Sequence, residues 1–335
     1  LADILKSHKI KFNNISKDIV INGRKYLKDN SYIVPMNQPK RTLIEAMFYT
    51  QTKFKDSLFY DVSSWTLPLA FNVNYDYTDG MSQSNISSLT DDEVDNLVKP
   101  SGTVDNNSDY AYIFEPHDYY TQAAIYKILD EGLRVKTATR KFSIKGKDYD
   151  YGTYMIPVQS QELNSDEIYE LLNEVSKEYN VNFESHSTGI TDGIDFGSNN
   201  FIIVKQPKIG LIVGDGVRSY DAGEIWHLLD TRYDIPISKL DIGNLGYMDL
   251  NKYSHIILPD YNGSRINSDL IKEYVNNGGN LIAYRNSIRW GSNNIDEIEL
   301  LSNDLVANDI AFDERQAFYG AQQTGGAIFK SSIDK

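Results

Sequence analysis

The side chains able to do chemistry in this chain are few, and their spacing suits the commonest mechanisms poorly. The five histidines are His8, His117, His186, His227 and His255. A hydrolytic zinc centre takes His and carboxylate ligands at fixed spacing and keeps one position open to water. None of the five begins a His-x-x-Glu or His-Glu-x-x-His run. Glu224 and His227 stand three apart on one face of a predicted helix; as a lone pair they read as helix surface. Serine hydrolysis would show Gly-x-Ser-x-Gly at a strand-to-helix elbow, and no such pentapeptide exists. The best elbow candidate follows the apolar run 280–284. There Asn286-Ser287 takes the nucleophile's place, and His255 or His227 could serve Ser287, but no glycine relieves the turn. The absence of cysteine excludes disulfides, thiolate zinc sites and a Cys nucleophile together.

What remains is a crevice. Residues 208–241, KIGLIVGDGVRSYDAGEIWHLLDTRYDIPISKLD, open with a short apolar strand closed by Gly214-Asp215-Gly216. A helix with Ala222, Ile225, Trp226 and Leu229 on one face follows, then a second strand from Pro236. That is a β-α-β unit whose first turn faces the carboxyl edge of its sheet. Two glycines at a strand-to-helix turn suit anion binding by backbone N–H groups. However, Ser219 stands where a dinucleotide fingerprint needs its third glycine, and Asp215 would repel a pyrophosphate. The turn therefore reads as a tight connection. The polar cluster Asp215, Arg218, Ser219 and Asp221, with Asn286 and Ser287, is the candidate binding site for a small polar ligand. Neither a metal site nor a catalytic residue is assigned.

The elements that would carry this crevice belong to a chain of 335 residues, enough for about two domains. There are 33 Lys and Arg against 47 Asp and Glu, a formal charge of −14 that repels polyanions, so no nucleic-acid partner is expected. No apolar run approaches the ~20 residues of a membrane span. The 24 tyrosines could line a sugar- or peptide-stacking surface, although Tyr serves cores and surfaces alike.

Along the chain, 10–15 and 31–36 read as strands and 41–49 as an amphipathic helix. Asn22-Gly23 between β-prone runs reads as a hairpin turn. The pattern returns: 144–149 echoes 21–26, 153–157 echoes 31–35, and a helix follows each copy. The second copy is preceded by a strand (110–114), a helix (119–129) and a strand (133–138), whereas the first has only a helix end. The expectation is that the chain starts inside a repeat and belongs to something longer. Residues 55–71 are aromatic and apolar and read as ordered. Residues 72–107, with the acidic run 91–95, read as a polar surface excursion lacking the EF-hand spacing. A strand is expected at 181–185 and a Gly-rich connection at 187–200. Strands at 255–258 and 280–284 then alternate with a helix at 267–276, which argues a parallel doubly wound sheet.

Four stretches together carry a resemblance: SYIVPMNQPKRTLIEAMF (31–48), FKDSLFYDVSSWTLPLAF (54–71), VGDGVRSYDAGEIWHLLDTRYDIPISKLD (213–241) and GAQQTGGAIF (320–329). The chain resembles the region downstream of the peptidase domain in large bacterial zinc carboxypeptidase-like proteins. In that family a class I glutamine amidotransferase-like domain closes the chain. The resemblance implies an α/β fold of two Rossmann/flavodoxin-like, three-layer domains with mostly parallel sheets. They would be 1–205, built from two related β-α modules, and 206–335, amidotransferase-like and truncated. It implies a non-catalytic accessory region of a secreted or periplasmic metallocarboxypeptidase, with the parent's peptidase domain as partner and zinc held there rather than in this segment. The family's zinc motif and the amidotransferase cysteine are both absent here, so no catalytic residue is carried over. The alternative is a module binding a sugar, peptide end or amino acid at 214–221.

Overall fold

The computed structural model describes residues 1–50, 66–78, 83–97, 101–295, 300, 310–315 and 318. Most of the 55–71 stretch and all of 320–329 lie outside the described residues. Two compact units divide the chain, Leu1–Lys99 with Asp304–Lys335, and Pro100–Asn303. The boundary expected at 205/206 falls inside the second unit, where an antiparallel sheet gives way to a parallel one.

In the first unit, α1 (Ala2–Ser7), β1 (Asn13–Ile15), β2 (Ile19–Ile21), β3 (Arg24–Tyr26), β4 (Tyr32–Ile33) and α2 (Arg41–Phe48) are followed by α3 (Leu67–Ala70), α4 (Gln83–Leu89) and β5 (Thr90–Glu93). The sheet order is β4-β1-β5, antiparallel throughout, over a core of Leu5, Ile10, Phe12, Ile44, Met47 and Val94. The buried strand expected at 31–36 shrinks to two residues, with Tyr32 about half exposed. The polar excursion holds more structure than its composition suggested. Its acidic run forms edge strand β5, where Lys11 pairs with Glu93 at 3.0 Å and Asn13 Nδ2 donates to the Asp91 carbonyl at 3.1 Å. An edge strand needs only its backbone to pair, so outward acids cost it little.

The second unit begins with β6 (Ala111–Phe114), α5 (Thr121–Asp130), β7 (Lys136–Ala138), β8 (Phe142–Ile144), β9 (Lys147–Tyr149), β10 (Tyr154–Pro157), α6 (Ser165–Tyr179), β11 (Glu184–His186) and β12 (Phe201–Ile203). Its five strands run β11-β6-β10-β7-β12, every pair antiparallel. This corrects the mostly parallel sheet expected here. Each β-α-β connection skips one position, and the gap is filled by a strand running the other way. The order is that of a double split β-α-β, ferredoxin-like sheet with β12 added at one edge. The three-layer expectation also fails for this sheet. Tyr112 and Phe114 face α5 and α6 through Ala124, Ile128, Ile168 and Leu172. Ala111 and Ile113 face the β8–β9 hairpin and Phe196 on the other side. Both helices thus cover one face, each fully buried aliphatic contributing ~1.5–3 kcal/mol. Helix α6 starts sharply because Asn164 and Glu167 form a reciprocal capping box.

The two units share a module at a constant offset of 123 positions, which carries Lys9 onto Gly132, Asn22 onto Lys145, Tyr26 onto Tyr149 and Gln38 onto Gln161. The same offset carries β1, β2 and β3 onto β7, β8 and β9. Both hairpins turn through two residues of positive φ, Asn22-Gly23 and Lys145-Gly146, as a type I′ turn requires. Gln38 binds the N–H and carbonyl of Lys11 and the Pro35 carbonyl; Gln161 does the same with Arg134 and Pro157. The expected repeat is therefore present in backbone and side chains, although the first unit has no counterpart of β6 or β11 among the described residues.

The remainder of the second unit is β13 (Ile209–Val213), α7 (Ser219–Trp226) running into a π-helical turn, β14 (Ile237–Asp241), β15 (His255–Leu258), α8 (Ser268–Asn276), β16 (Asn280–Ala283) and α9 (Asn286–Asn294). The strands are parallel in the order β14-β13-β15-β16. Ala222 and Ile225 of α7 pack on one face with Leu211 and Ile257, while Ile271, Tyr274 and Trp290 of α8 and α9 pack on the other. This is a three-layer, doubly wound sheet. Tyr119, Tyr120 and Tyr233 meet edge to face at 4.8–6.4 Å between the antiparallel and parallel parts.

Candidate functional site

The parallel sheet reverses its winding between β13 and β15, and the crevice outside their carboxyl ends is where such folds hold ligands. Three loops meet there: 214–218 after β13, 259–261 after β15, and 284–287 after β16. Gly214 and Gly216 both have positive φ, 106° and 82°. A Cβ on Gly214 would stand 2.9 Å from Asp241 Oδ2, and one on Gly216 would stand 2.8 Å from the Tyr261 ring. The glycines are explained by backbone conformation and close packing, as the tight-turn reading expects. The first two loops are zipped together: Arg218 N donates to the Asp260 carbonyl and Asn262 N to the Gly216 carbonyl, both at 2.9 Å.

Two acids lie beneath this surface, each behind an arginine. Asp221, in the first turn of α7, is buried, and its Oδ1 stands 3.3 Å from Arg285 Nη1. Its Oδ2 is buried without a hydrogen-bond partner. Asp260 is also buried; its Oδ1 accepts from Asn286 N and Nδ2 at 3.3 and 2.9 Å. Its Oδ2 lies 3.7 Å from Arg218 Nη1. Both guanidinium side chains remain more than half exposed, at 58% for Arg218 and 54% for Arg285. Burial, and next the charge of Asp221, pushes the Tyr284 phenol up to about 12, so it stays a neutral donor, aimed at the Asp221 carbonyl at 3.5 Å.

The elbow is one residue earlier than expected. Arg285, at φ 56° and ψ −129°, is the residue forced into a conformation that a side chain rarely adopts, at a cost on the order of 1–3 kcal/mol. Asn286 and Ser287 are already helical. Ser287 is fully buried, with Oγ donating to the Pro259 carbonyl and accepting from Tyr261 N at 2.9 Å. His255 begins β15 at the opposite end of the sheet, bonded to Ser254 Oγ at 2.9 Å. His227 lies on the outer side of α7, lining an open groove of about 480 Å³ with Ser219, Tyr220, Gly223 and Glu224. Ser287 Oγ is engaged by the Pro259 carbonyl and Tyr261 N and by neither His255 nor His227, which removes the Ser287 hydrolase reading.

Of the six candidate residues, the structure brings together Arg218, Asp221 and Asn286. Ser287 becomes a buried brace and Ser219 belongs to the adjoining groove. Asp215 turns outward to Arg265 at 3.2 Å, both side chains about two-thirds exposed. Sequence reasoning missed Arg285, Asp260 and Tyr284. Their signal was positional, since each stands within two residues of the carboxyl end of a strand. Among the described residues no group of three or more His, Asp or Glu is placed to hold a metal. No helix among them is long and apolar enough to cross a membrane. A second recess of about 350 Å³ is lined by Tyr126, Asp130, Asp230, Asp234 and Pro236. It gathers three carboxylates, of which Asp130 accepts from Gln206 Nε2 at 2.9 Å.

No protein-family model matches the chain, and no curated protein or solved structure matches it.

Proposed function

We propose that this chain is a non-catalytic accessory region that binds a small polar ligand at the carboxyl edge of its parallel sheet. The observation that carries this reading is Arg285. At the elbow, where a hydrolase or amidotransferase of doubly wound design presents its nucleophile, this chain presents an ion-paired guanidinium. Strain retained at such a place is a sign of function, and a guanidinium offers recognition rather than attack. The strand order and the elbow support the amidotransferase-like reading of the second half. The resemblance of 31–48 and 213–241 extends the proposal to a secreted or periplasmic zinc carboxypeptidase-like parent. Zinc would be held in the parent's peptidase domain, which would be this region's partner.

The test pairs a thermal-shift screen of sugars, amino acids and short peptides with metal analysis and a C-terminal peptide hydrolysis assay on the full chain. The expected result is a stabilising ligand whose effect is lost in Arg218→Gln, with no turnover. Stoichiometric zinc accompanied by peptide hydrolysis would overturn the reading.

A further inference from the structure

Building on the crevice reading above, we infer that the ligand is a monocarboxylate, with a peptide C-terminus as the model case, gripped by the outward guanidinium edges of Arg218 and Arg285. Asp221 and Asp260 are nearly sealed from water, while the arginines that face them are more than half exposed. Each acid orients a guanidinium from behind. Each guanidinium has five N–H donors and meets its acid through Nη1. With both side chains more than half exposed, donors remain for a ligand, and paired, planar donors of this kind match a carboxylate.

Charge decides between anions. Arg218 and Arg285 balance Asp260 and Asp221, Asp215 and Arg265 cancel each other, Asp241 adds a carboxylate beside Gly214, and the chain as a whole carries −14. Nothing in this balance compensates a dianion, so inorganic phosphate is disfavoured. A single carboxylate needs directed donors rather than net positive charge. The adjoining groove continues from Ser219 past Gly223 to Glu224 and His227. A Cβ on Gly223 would meet nothing within 4 Å. Tyr220, 78% exposed, offers a ring for the body of the ligand beyond its carboxylate.

Isothermal titration of the full chain with N-acetyl-dialanine, its C-terminal amide, acetate and inorganic phosphate tests this. The expected pattern is binding of the free acid, at least about tenfold weaker binding of the amide, competition by acetate and none by phosphate. Arg285→Gln leaves Asp221 without its charged partner and disturbs the fold, whereas Asp260 keeps both bonds from Asn286 when Arg218 is replaced, so Arg218→Gln carries the test. It should also weaken the acid at least about tenfold while circular dichroism is unchanged. If acid and amide bind equally and both depend on Arg218, or if phosphate binds better than acetate, the carboxylate inference fails while the crevice reading stands. The inference likewise fails alone if neither peptide binds but a sugar does so through Arg218. If no probe binds in an Arg218-dependent way, both are overturned.

Discussion

Ser287 has its hydroxyl between the Pro259 carbonyl and the Tyr261 N–H, so it braces the loop after β15 against the start of α9. Ser287→Ala should cost about 1–3 kcal/mol, because two buried backbone groups lose their partner. Urea unfolding measures this, and a loss below about 0.5 kcal/mol would contradict the bracing role. His186 is a second buried polar residue with an unusual setting. Both ring nitrogens lack partners, the ring meets Phe196 edge-on, and burial, with Lys145 adding to it, lowers its pKa. Glu184 and Asp105 oppose that shift without reversing it. Since the folded pKa is depressed, the stabilisation is present above the unfolded value of about 6.5 and is lost as pH falls through and below it. Melting temperatures from pH 7.5 to 5 should therefore fall more steeply for the wild type than for His186→Phe. Parallel slopes would show that another group sets the acid limit.

The repeated module gives a controlled comparison between elements. Helices α1 and α5 both end with a residue of positive φ, Lys9 at 58° and Gly132 at 83°. In each, the next residue's N–H returns to the helix, from Ile10 to the Leu5 carbonyl and from Leu133 to the Ile128 carbonyl. Glycine takes this conformation freely, whereas a side chain pays about 1–2 kcal/mol. Lys9→Gly should therefore raise stability by about 1 kcal/mol and Gly132→Lys should lower it by about 1–2 kcal/mol. A Cβ at Gly132 has open space around it, so the contrast isolates backbone conformation. Shifts of the same sign in the two urea midpoints would contradict the shared cap. The hairpins of this module were legible in the sequence because a type I′ turn is fixed by two adjacent residues. The antiparallel course of the five-stranded sheet was not. The alternation of strand and helix is the same whether β10 lies between β6 and β7 or outside them.

At the scale of the molecule, the antiparallel and parallel sheets belong to one compact unit, Pro100–Asn303, joined by the Tyr119, Tyr120 and Tyr233 contacts and by Gln206 Nε2 donating to Asp130 at 2.9 Å. A fragment covering 100–303 should fold alone and melt in a single transition by both calorimetry and circular dichroism. Two separated transitions would place a cooperative boundary near 205, as the sequence had suggested. The same compactness explains how the crevice is held. Its three loops come from strands far apart in the chain, and the Arg218–Asp260 and Arg285–Asp221 pairs span 42 and 64 residues respectively, the differences of their residue numbers.

The sequence by itself determined what depends on neighbours along the chain. It set the strand-to-helix alternation of 208–284, the glycine turn at 214–216, the two hairpin turns and the repeat that carries them, and the lack of zinc-hydrolase spacing. The tertiary structure alone decided what depends on residues meeting across it. It selected antiparallel pairing for the first sheet, buried Ser287 away from both His227 and His255, and put Arg285 on the strained elbow. It also set Asp221 and Asp260 behind the two arginines. A side chain's chemistry follows from its burial and its partners, and for these residues every decisive partner lies in another loop or element of the fold.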